Sequence, residues 1–194
     1  TIVVQSSSAT MAITLIMCSK GWLSFELAAA MVLGENIGTT ITANIAALTA
    51  NTSAKRTALA HLIFNIFGVI WILLIFKPFI GFTAGLVAKY GPGDPNMLAT
   101  FSDSLGPETL KLLSNPDAKL TSEQALLLKE WQSYQIATSY SLALFHTFFN
   151  IINTLIMIWF VKSIEKVLLF LIKKKDTDEE FQLKYITTGM VSTS

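Results

Sequence analysis

Two clusters of hydroxyl and amide side chains stand out near the start of this chain. The first reads Gln5-Ser6-Ser7-Ser8-Ala9-Thr10, and the second reads Gly34-Glu35-Asn36-Ile37-Gly38-Thr39-Thr40. Both lie within apolar sequence of a kind that fills membranes, where polar groups are costly and usually mark a substrate or ion pathway. The two clusters therefore predict a shared site for one small hydrophilic solute, most simply an inorganic anion that binds together with a cation.

The first cluster predicts the start of a helix. Serine favours the N-cap position because its hydroxyl accepts a hydrogen bond from the free N–H groups of the first turn. We therefore expect the run Ser6–Ser8 to begin a helix over residues 9–18. A flexible serine linker is the alternative, and the apolar flanks argue against it.

The glycines of the second cluster predict a break in a membrane helix. We expect one half-helix over residues 24–33 and a second that begins at Thr39 or Thr40. The alternative is an unbroken helix in which Gly34 and Gly38 form a close-packing face. That alternative accounts for the glycines but leaves the polar residues around them unexplained.

Helix starts at membrane depth expose unpaired N–H groups and the positive end of the helix dipole, which together bind anions. The one basic residue among residues 1–54 is Lys20, so an anion would rest on neutral donors. The available donors are Gln5, Ser6, Ser7, Ser8, Asn36, Thr39 and Thr40. Carbonyl and hydroxyl oxygens freed at the same places suit a hard cation such as sodium. Binding both ions together lowers the cost of burying each charge, which is the physical basis of symport.

Glu35 is the exception in this arrangement, because its negative charge would repel a bound anion. We expect its side chain to point to water at the mouth of the cavity. The alternatives are that Glu35 faces the site and binds sodium, or that it is protonated there.

The composition indicates a polytopic membrane protein. Hydrophobic residues make up 52% of the 194 residues, more than in an ordinary soluble domain. The uncharged stretches 57–76 and 135–161 are long enough to cross about 30 Å of hydrocarbon. A net charge of +1 without a basic stripe argues against a nucleic-acid partner, and the single cysteine excludes an internal disulfide.

Polar boundaries divide the chain into four parts. These are a core over 1–78 with both polar clusters, an extracytoplasmic insert over 79–134, a spanning helix over 135–161, and a cytoplasmic part over 162–194. The last part begins with an amphipathic helix over residues 163–175. The basic Lys55-Arg56 loop and the lysines of the last part lie two crossings apart, which predicts that both are cytoplasmic.

Two local signals predict short helices within the insert. Pro107 stands in the first-turn position before residues 108–113, and Thr121 and Gln124 have the spacing of a capping box.

Residues 58–66 and 143–151 are identical at six of nine positions. Each copy has a histidine and an asparagine four residues apart: His61 and Asn65, then His146 and Asn150. A metal site built from the two histidines is one interpretation, although histidines without neighbouring acids bind metals poorly. The simpler interpretation is hydrogen bonding to a neighbouring helix or helix capping. The repetition also suggests a fold built from related helices.

The motifs QSSSAT, GENIGTTITA, AHLIFN and ALFHTFFN together closely resemble the type II sodium–phosphate cotransporter family, and more narrowly its bacterial branch with a PhoU-like cytoplasmic domain. The resemblance covers residues 1 to about 77 and 135 to 190. It implies an all-α polytopic membrane protein with helical hairpins and broken helices, built from two inverted repeats that each carry a QSSS motif. This chain has one QSSS, so the resemblance implies the second repeat, half of an inverted-repeat transporter. Residues 181–185 resemble the start of the linker to the PhoU-like domain.

The resemblance implies sodium-coupled uptake of inorganic phosphate by a secondary transporter that is not an enzyme. Carried onto this sequence, the phosphate contacts are Gln5, Ser6, Ser7, Ser8, Asn36, Gly38, Thr39 and Thr40. The sodium contacts are Gln5, Ser7, Ser8, Thr10, Asn36 and Thr39. Sodium is the coupling ion, and no organic cofactor is expected. The expected partners are inorganic phosphate, the lipid bilayer, and a missing first repeat or a second copy of the chain, for instance in a homodimer. The expected location is the inner or plasma membrane, with multiple crossings and a cytoplasmic C-terminus.

Two other functions remain open from the residues alone. A passive anion channel would need the same neutral donors without coupling to a cation. An intramembrane hydrolase would use one of Ser6–Ser8 as its nucleophile with His61 or His146 as the base, but the sequence has no accompanying oxyanion motif.

Overall fold

The computed structural model describes residues 1–174, and every regular element in that range is helical. The α-helices in chain order are α1 (Ser7–Ser19), α2 (Phe25–Ala47), α3 (Thr52–Leu74), α4 (Phe76–Tyr90), α5 (Met97–Leu113), α6 (Ser122–Met157) and α7 (Val161–Leu171). A 3-10 turn, Ile158–Phe160, joins α6 to α7. The prediction of an all-α fold is confirmed.

Side-chain caps begin the helices at the places that the sequence predicts. The hydroxyl of Ser6 accepts a hydrogen bond from the N–H of Ala9 at 3.2 Å, so the serine run starts α1. Thr121 and Gln124 form the predicted capping box at the start of α6, each side chain accepting from the backbone N–H of the other residue. These caps satisfy N–H groups that have no partner within the helix.

α5 contains a kink at the predicted helix start. Gly106 has a positive φ of 73°, a backbone conformation that glycine adopts at little cost, and Pro107 begins the helical segment after it. The predicted first-turn position of Pro107 is therefore confirmed.

The second polar cluster does not break its helix. α2 runs without interruption from Phe25 to Ala47, so the predicted half-helix beginning at Thr39 or Thr40 is wrong. The threonine hydroxyls are compatible with a helix because they donate to carbonyls of the preceding turn. Thr39 donates to the carbonyl of Glu35 at 2.9 Å, and Thr40 donates to the carbonyl of Ile37 at 2.7 Å.

Only one of the two glycines in the second cluster is needed for close packing. A Cβ at Gly38 would lie 3.1 Å from the Cβ of Thr1, so the missing side chain lets the N-terminal segment approach α2. A Cβ at Gly34 would meet no heavy atom within 4 Å. The unbroken-helix alternative is thus correct, with close packing at Gly38 alone.

One hydrophobic core joins α1, α2, α3, α4 and α6. Phe145 and Phe149 of α6 are completely buried at its centre. The ring of Trp71 stacks on Phe149 with 6.0 Å between ring centroids, and Phe79 meets Phe145 edge-on at 5.5 Å. α6 is therefore the helix against which the others pack.

The segment predicted as an insert, residues 79–134, contributes to two cores. Its first part forms α4, whose Phe79 and Ile80 belong to the main core. Its remainder forms α5 and the start of α6, which pack around Leu98, Leu113 and Trp131 in a second cluster. The extracytoplasmic location of this segment stays a prediction.

Within residues 1–174, α3 is the helix that is long and apolar enough to cross a membrane by length and composition. Its 23 residues correspond to about 35 Å at 1.5 Å per residue. The predicted span 135–161 falls in the 36-residue α6 and the 3-10 turn that follows it. The predicted polytopic architecture of inverted repeats is not established by these helices alone.

The predicted amphipathic helix is α7, which begins at Val161 and ends at Leu171. None of its residues is buried, and Phe170 is 78% exposed. Residue 175 and the predicted linker over 181–185 lie outside the described residues.

The approach of α3 to α6 leads to a stability prediction. A Cβ at Gly68 of α3 would lie 2.7 Å from the Nδ2 of Asn153 and 2.9 Å from the Cζ of Phe149. Both neighbours are completely buried, so Gly68→Ala is expected to lower the free energy of unfolding by about 1–3 kcal/mol. The measurement is the melting temperature in detergent micelles.

Gly34→Ala is the matched control and should cause no loss of stability, because its Cβ would meet no heavy atom within 4 Å and alanine favours helix over glycine by up to about 1 kcal/mol. Equal melting temperatures for the two variants would contradict this packing.

Candidate functional site

A cavity of about 450 Å³ lies where α1, α2, α3 and α6 meet, and residues of both polar clusters line it. Two larger grooves, of about 590 and 660 Å³, contain no residue of either cluster. The chemistry of the lining, rather than the volume, therefore identifies the candidate site.

The first turn of α1 contributes two serines to this cavity. Ser7 and Ser8 are the first two residues of the helix, and Met11 and Leu15 continue the same face into the cavity wall. Because Ser6 caps the helix at this point, the free N–H groups of the first turn lie beside the cavity. The predicted helix start is thus present beside the cavity on α1 and absent from α2, and anion binding there stays a prediction.

Three other predicted residues of the first cluster do not line the cavity. Gln5 is exposed and has a left-handed backbone with φ 53°. The hydroxyl of Ser6 caps α1, and the hydroxyl of Thr10 donates to the carbonyl of Ser6 at 2.8 Å. Their contacts to phosphate or sodium stay predictions that the geometry of this cavity does not support.

α2 presents one face to the cavity. Val32, Glu35, Asn36 and Thr39 all line it, and their spacing of three, four and seven residues is that of a single helix face. Two clusters distant in sequence therefore do converge on one cavity, as predicted, through an intact helix.

Two further predicted residues of the second cluster point elsewhere. Gly38 lies against Thr1, and Thr40 is completely buried with its hydroxyl bonded to the carbonyl of Ile37. Of the predicted phosphate contacts, the structure brings together Ser7, Ser8, Asn36 and Thr39.

Asn36 holds an unpaired donor at the cavity. Its Nδ2 is buried and has no hydrogen-bond partner within residues 1–174. A buried donor left without a partner costs about 1–3 kcal/mol, so such groups are rare without a ligand or a bound water. An anion in the cavity would supply the missing acceptor.

The prediction that Glu35 points to water is wrong. Its side chain is 8% exposed and lines the cavity, and the hydroxyl of Thr14 on α1 donates to its Oε1 at 2.5 Å. The cause is the unbroken helix, because a continuous α2 places Glu35 on the same face as Val32, Asn36 and Thr39. Thr14, which is itself 1% exposed, was not singled out by the sequence analysis.

The repeated His–Asn pairs contribute three residues to the cavity: His61, Asn65 and His146. Each asparagine bonds within its own helix. Asn65 Nδ2 donates to the carbonyl of His61 at 3.0 Å, and Asn150 Nδ2 donates to the carbonyl of His146 at 2.8 Å. Among the described residues, no group of three or more His, Cys, Asp or Glu side chains could hold a metal ion.

The interhelical bond expected of these asparagines is made by Asn153 instead. Asn153 is completely buried on α6 and donates from Nδ2 to the carbonyl of Phe64 at 3.1 Å. Its Oδ1 accepts from the indole N–H of Trp71, also at 3.1 Å. The sequence offered one signal for this residue. Asn153 is a further asparagine one helical turn after Asn150, on the same apolar helix.

Comparison with known proteins adds to this geometry. Residues 1–88 match the family described as Na+/Pi-cotransporter, and this segment contains both polar clusters and all of α1, α2 and α3. The family resemblance predicted from the motifs is therefore confirmed over the part of the chain that builds three of the four walls of the cavity.

The relatives that this chain matches are much longer proteins. "Uncharacterized protein YqeW" of Bacillus subtilis (strain 168) is 37% identical over 102 residues, which are 53% of this chain and 32% of the relative. "Sodium-dependent phosphate transport protein 2A" of Ovis aries is 48% identical over 75 residues, 36% of this chain and 12% of the relative. "Putative inorganic phosphate export protein YjbB" of Escherichia coli (strain K12) is 25% identical over 193 residues, 99% of this chain and 27% of the relative. The chain thus spans a third or less of each of these relatives. No solved structure matches it.

Proposed function

We propose that this chain forms part of a secondary transporter that moves inorganic phosphate across a cell membrane together with sodium. The observation that carries the proposal is a cavity lined by Asn36, whose buried Nδ2 has no hydrogen-bond partner, and by the first turn of α1. Both features offer hydrogen-bond donors to an anion without a fixed positive charge.

Phosphate is the substrate that the comparisons favour. Residues 1–88 match a family named for sodium and phosphate, and two relatives name phosphate export or phosphate transport. Their names differ in direction, because one describes export and the other describes sodium-dependent transport. These names therefore support phosphate as the transported ion more strongly than they support sodium as the coupling ion or one direction of transport.

The balance of charge in the cavity supports the proposal of sodium coupling. No lysine or arginine lines the cavity in the part of the chain that the structure describes, and Glu35 adds a negative charge. Bringing a phosphate anion alone into such a site would place like charges together away from bulk water, which is strongly unfavourable. A cation that enters with phosphate removes that penalty, and hydroxyl oxygens such as those of Ser7, Ser8 and Thr39 suit sodium.

A complete site is proposed to need more than this chain. We expect a first repeat or a second copy of the chain to close the cavity on its open side, where Ser7 and Ser8 are exposed. We expect the complete transporter to lie in the inner or plasma membrane, with several crossings and a cytoplasmic C-terminus.

The test is phosphate flux in proteoliposomes that contain the complete transporter. Uptake of radiolabelled phosphate is expected to follow an inward sodium gradient and to fall to the leak level when potassium replaces sodium. Thr39→Ala is expected to reduce this uptake, whereas Thr42→Ala serves as the control, because the hydroxyl of Thr42 on the same helix lies outside the cavity and donates to the carbonyl of Thr39.

The same measurement separates the rival functions. Phosphate flux that ignores the sodium gradient would indicate a passive anion channel and overturn symport. A hydrolase would require one of the serines to pair with a histidine, and within residues 1–174 no hydrogen bond joins Ser7 or Ser8 to His61 or His146. Labelling by a serine-reactive probe that a single serine substitution abolishes would nevertheless favour hydrolysis.

A further inference from the structure

A groove beside α7 lies apart from the candidate cavity and has a different lining. Its volume is about 590 Å³, and its walls belong to α3, α6 and α7, so we call it the α7 groove. Most of its lining side chains are apolar, among them Ala60, Phe64, Met157, Ile158, Ile164 and Leu168. The charged side chains that line it, within residues 1–174, are Arg56 and Glu165. This lining fits a ligand that is mostly apolar and carries a charged group.

The length of the α7 groove matches one leaflet of a bilayer. Along α3 it extends from Arg56 through Ala60 to Phe64, at a spacing of four residues that keeps one helix face. Eight residues of helix cover about 12 Å. One leaflet contributes roughly half of the hydrocarbon core of about 30 Å. A helix that crosses the whole membrane would need a groove about twice as long, so these dimensions favour a lipid chain over a spanning helix.

Arg56 provides a phosphate-binding group at one end of this groove. It lies in the second turn of α3, which begins at Thr52. Its Nε and Nη2 donate to the carbonyl of Ile172 at 3.0 and 2.7 Å, which holds the end of α7 beside α3. A guanidinium has five N–H groups, so three remain for another acceptor. Arginine at such a position suits a phosphate group.

The charges along α7 are complementary to an anionic headgroup. Residues 161–174 contain four lysines and one acidic residue, Glu165. Lys162 and Lys166 lie one helical turn apart on α7, and both are exposed. Lysines at a membrane surface attract anionic lipids by about 1 kcal/mol each. Because the lysines outnumber Glu165, an anionic lipid fits this surface better than a lipid without net charge.

We propose that the α7 groove binds one anionic phospholipid. Its acyl chain lies between α3, α6 and α7, and its phosphate contacts Arg56. No residue of α7 is buried by protein, so the helix needs an apolar partner that the described protein does not supply. A phospholipid supplies that partner, and it also joins α7 to α3 beyond the contact of Arg56 with Ile172. This site is independent of the proposed transport, because the groove contains no residue of the two polar clusters.

The experiment is native mass spectrometry of the full chain in detergent, titrated with dioleoyl phosphatidylglycerol or dioleoyl phosphatidylcholine. One phosphatidylglycerol is expected to bind about tenfold or more tightly than phosphatidylcholine. Ala60→Phe places a ring in the groove and is expected to weaken this binding by about tenfold, because the acyl chain loses buried methylene groups. Ala143→Phe is the matched control and should bind as the wild type does, because Ala143 is exposed on α6 and lies outside the groove.

The headgroup is tested by removing two exposed lysines together. The double variant Lys162→Gln, Lys166→Gln is expected to weaken phosphatidylglycerol binding by about fivefold for each lysine. Its affinity for phosphatidylcholine should stay the same. The control is Lys111→Gln with Lys119→Gln, which removes the same charge from exposed positions outside α7. Equal affinities of the wild type for the two lipids would overturn the choice of an anionic lipid.

A further measurement needs no variant and covers the case in which Ala60→Phe fails to fold. Phosphatidylglycerol is expected to slow hydrogen exchange of the α7 amides severalfold relative to phosphatidylcholine, because the bound lipid holds α7 against α3. Equal exchange in the two lipids, or wild-type lipid binding in folded Ala60→Phe, would overturn the proposal. So would a dimer that Ala60→Phe dissociates, because the groove would then hold a second copy of the chain.

Discussion

Replacing Asn36 by aspartate is expected to weaken phosphate binding by about 3 kcal/mol, or about a hundredfold. The substitution preserves the shape of the side chain but turns the unpaired Nδ2 donor into a carboxylate oxygen. It also adds a second negative charge beside Glu35, which lines the same cavity. The measurement is equilibrium binding of radiolabelled phosphate to the complete transporter in saturating sodium.

The control for this variant is Asn115→Asp, which makes the same chemical change at an exposed site. Asn115 lies between α5 and α6, and its Oδ1 accepts from the backbone N–H of Asp117, a bond that aspartate can keep. Phosphate binding should therefore be unchanged. Wild-type affinity in folded Asn36→Asp would show that the anion does not use this donor, and would remove the main support for the proposed site.

Asn153→Ala is expected to lower the free energy of unfolding by about 2 kcal/mol. The substitution removes both hydrogen bonds by which Asn153 joins α6 to Trp71 and Phe64 of α3, and it leaves a void beside Gly68. The indole N–H of Trp71 would lose its partner in the interior, which adds to the cost. The measurement is reversible unfolding in detergent micelles, monitored by circular dichroism.

Asn150→Ala, three residues earlier on the same helix, is the matched control for this prediction. Asn150 is half-buried, and its Nδ2 donates to the carbonyl of His146 in its own helix, where the backbone bonds remain after truncation. Its loss should cost less than about 1 kcal/mol. If the two variants were equally stable, the bridge from α6 to α3 would not contribute to stability as the geometry indicates.

The capped starts of α1 and α6 could be predicted from the sequence because each depends on neighbouring residues alone. Ser6 caps α1, and Thr121 with Gln124 caps α6, since each side chain reaches an N–H group three residues away. The convergence of the two polar clusters could also be predicted, because polar groups in apolar sequence need a common polar space. Ser7, Ser8, Asn36 and Thr39 line one cavity for this reason.

Three features could not be predicted because they depend on contacts between distant residues. Gly34 and Gly38 are compatible with a broken or a continuous helix. In the continuous α2, Gly38 lies against Thr1, a contact between residues far apart in the chain. The direction of Glu35 depends on the phase of that helix, and Thr14 holds the side chain from another element. Which asparagine of α6 bridges to α3 depends on which one faces a carbonyl of α3, and that is Asn153.

The sequence by itself determined the helical class, the starts of α1 and α6, and the polar groups that had to meet. The tertiary structure alone decided that α2 is continuous and that a carboxylate therefore shares the cavity with the hydroxyl and amide groups of both clusters. The physical reason is that caps and periodicity act over one or two helical turns, whereas the surroundings of Glu35 are set by α1 packing against α2 across 21 residues of chain.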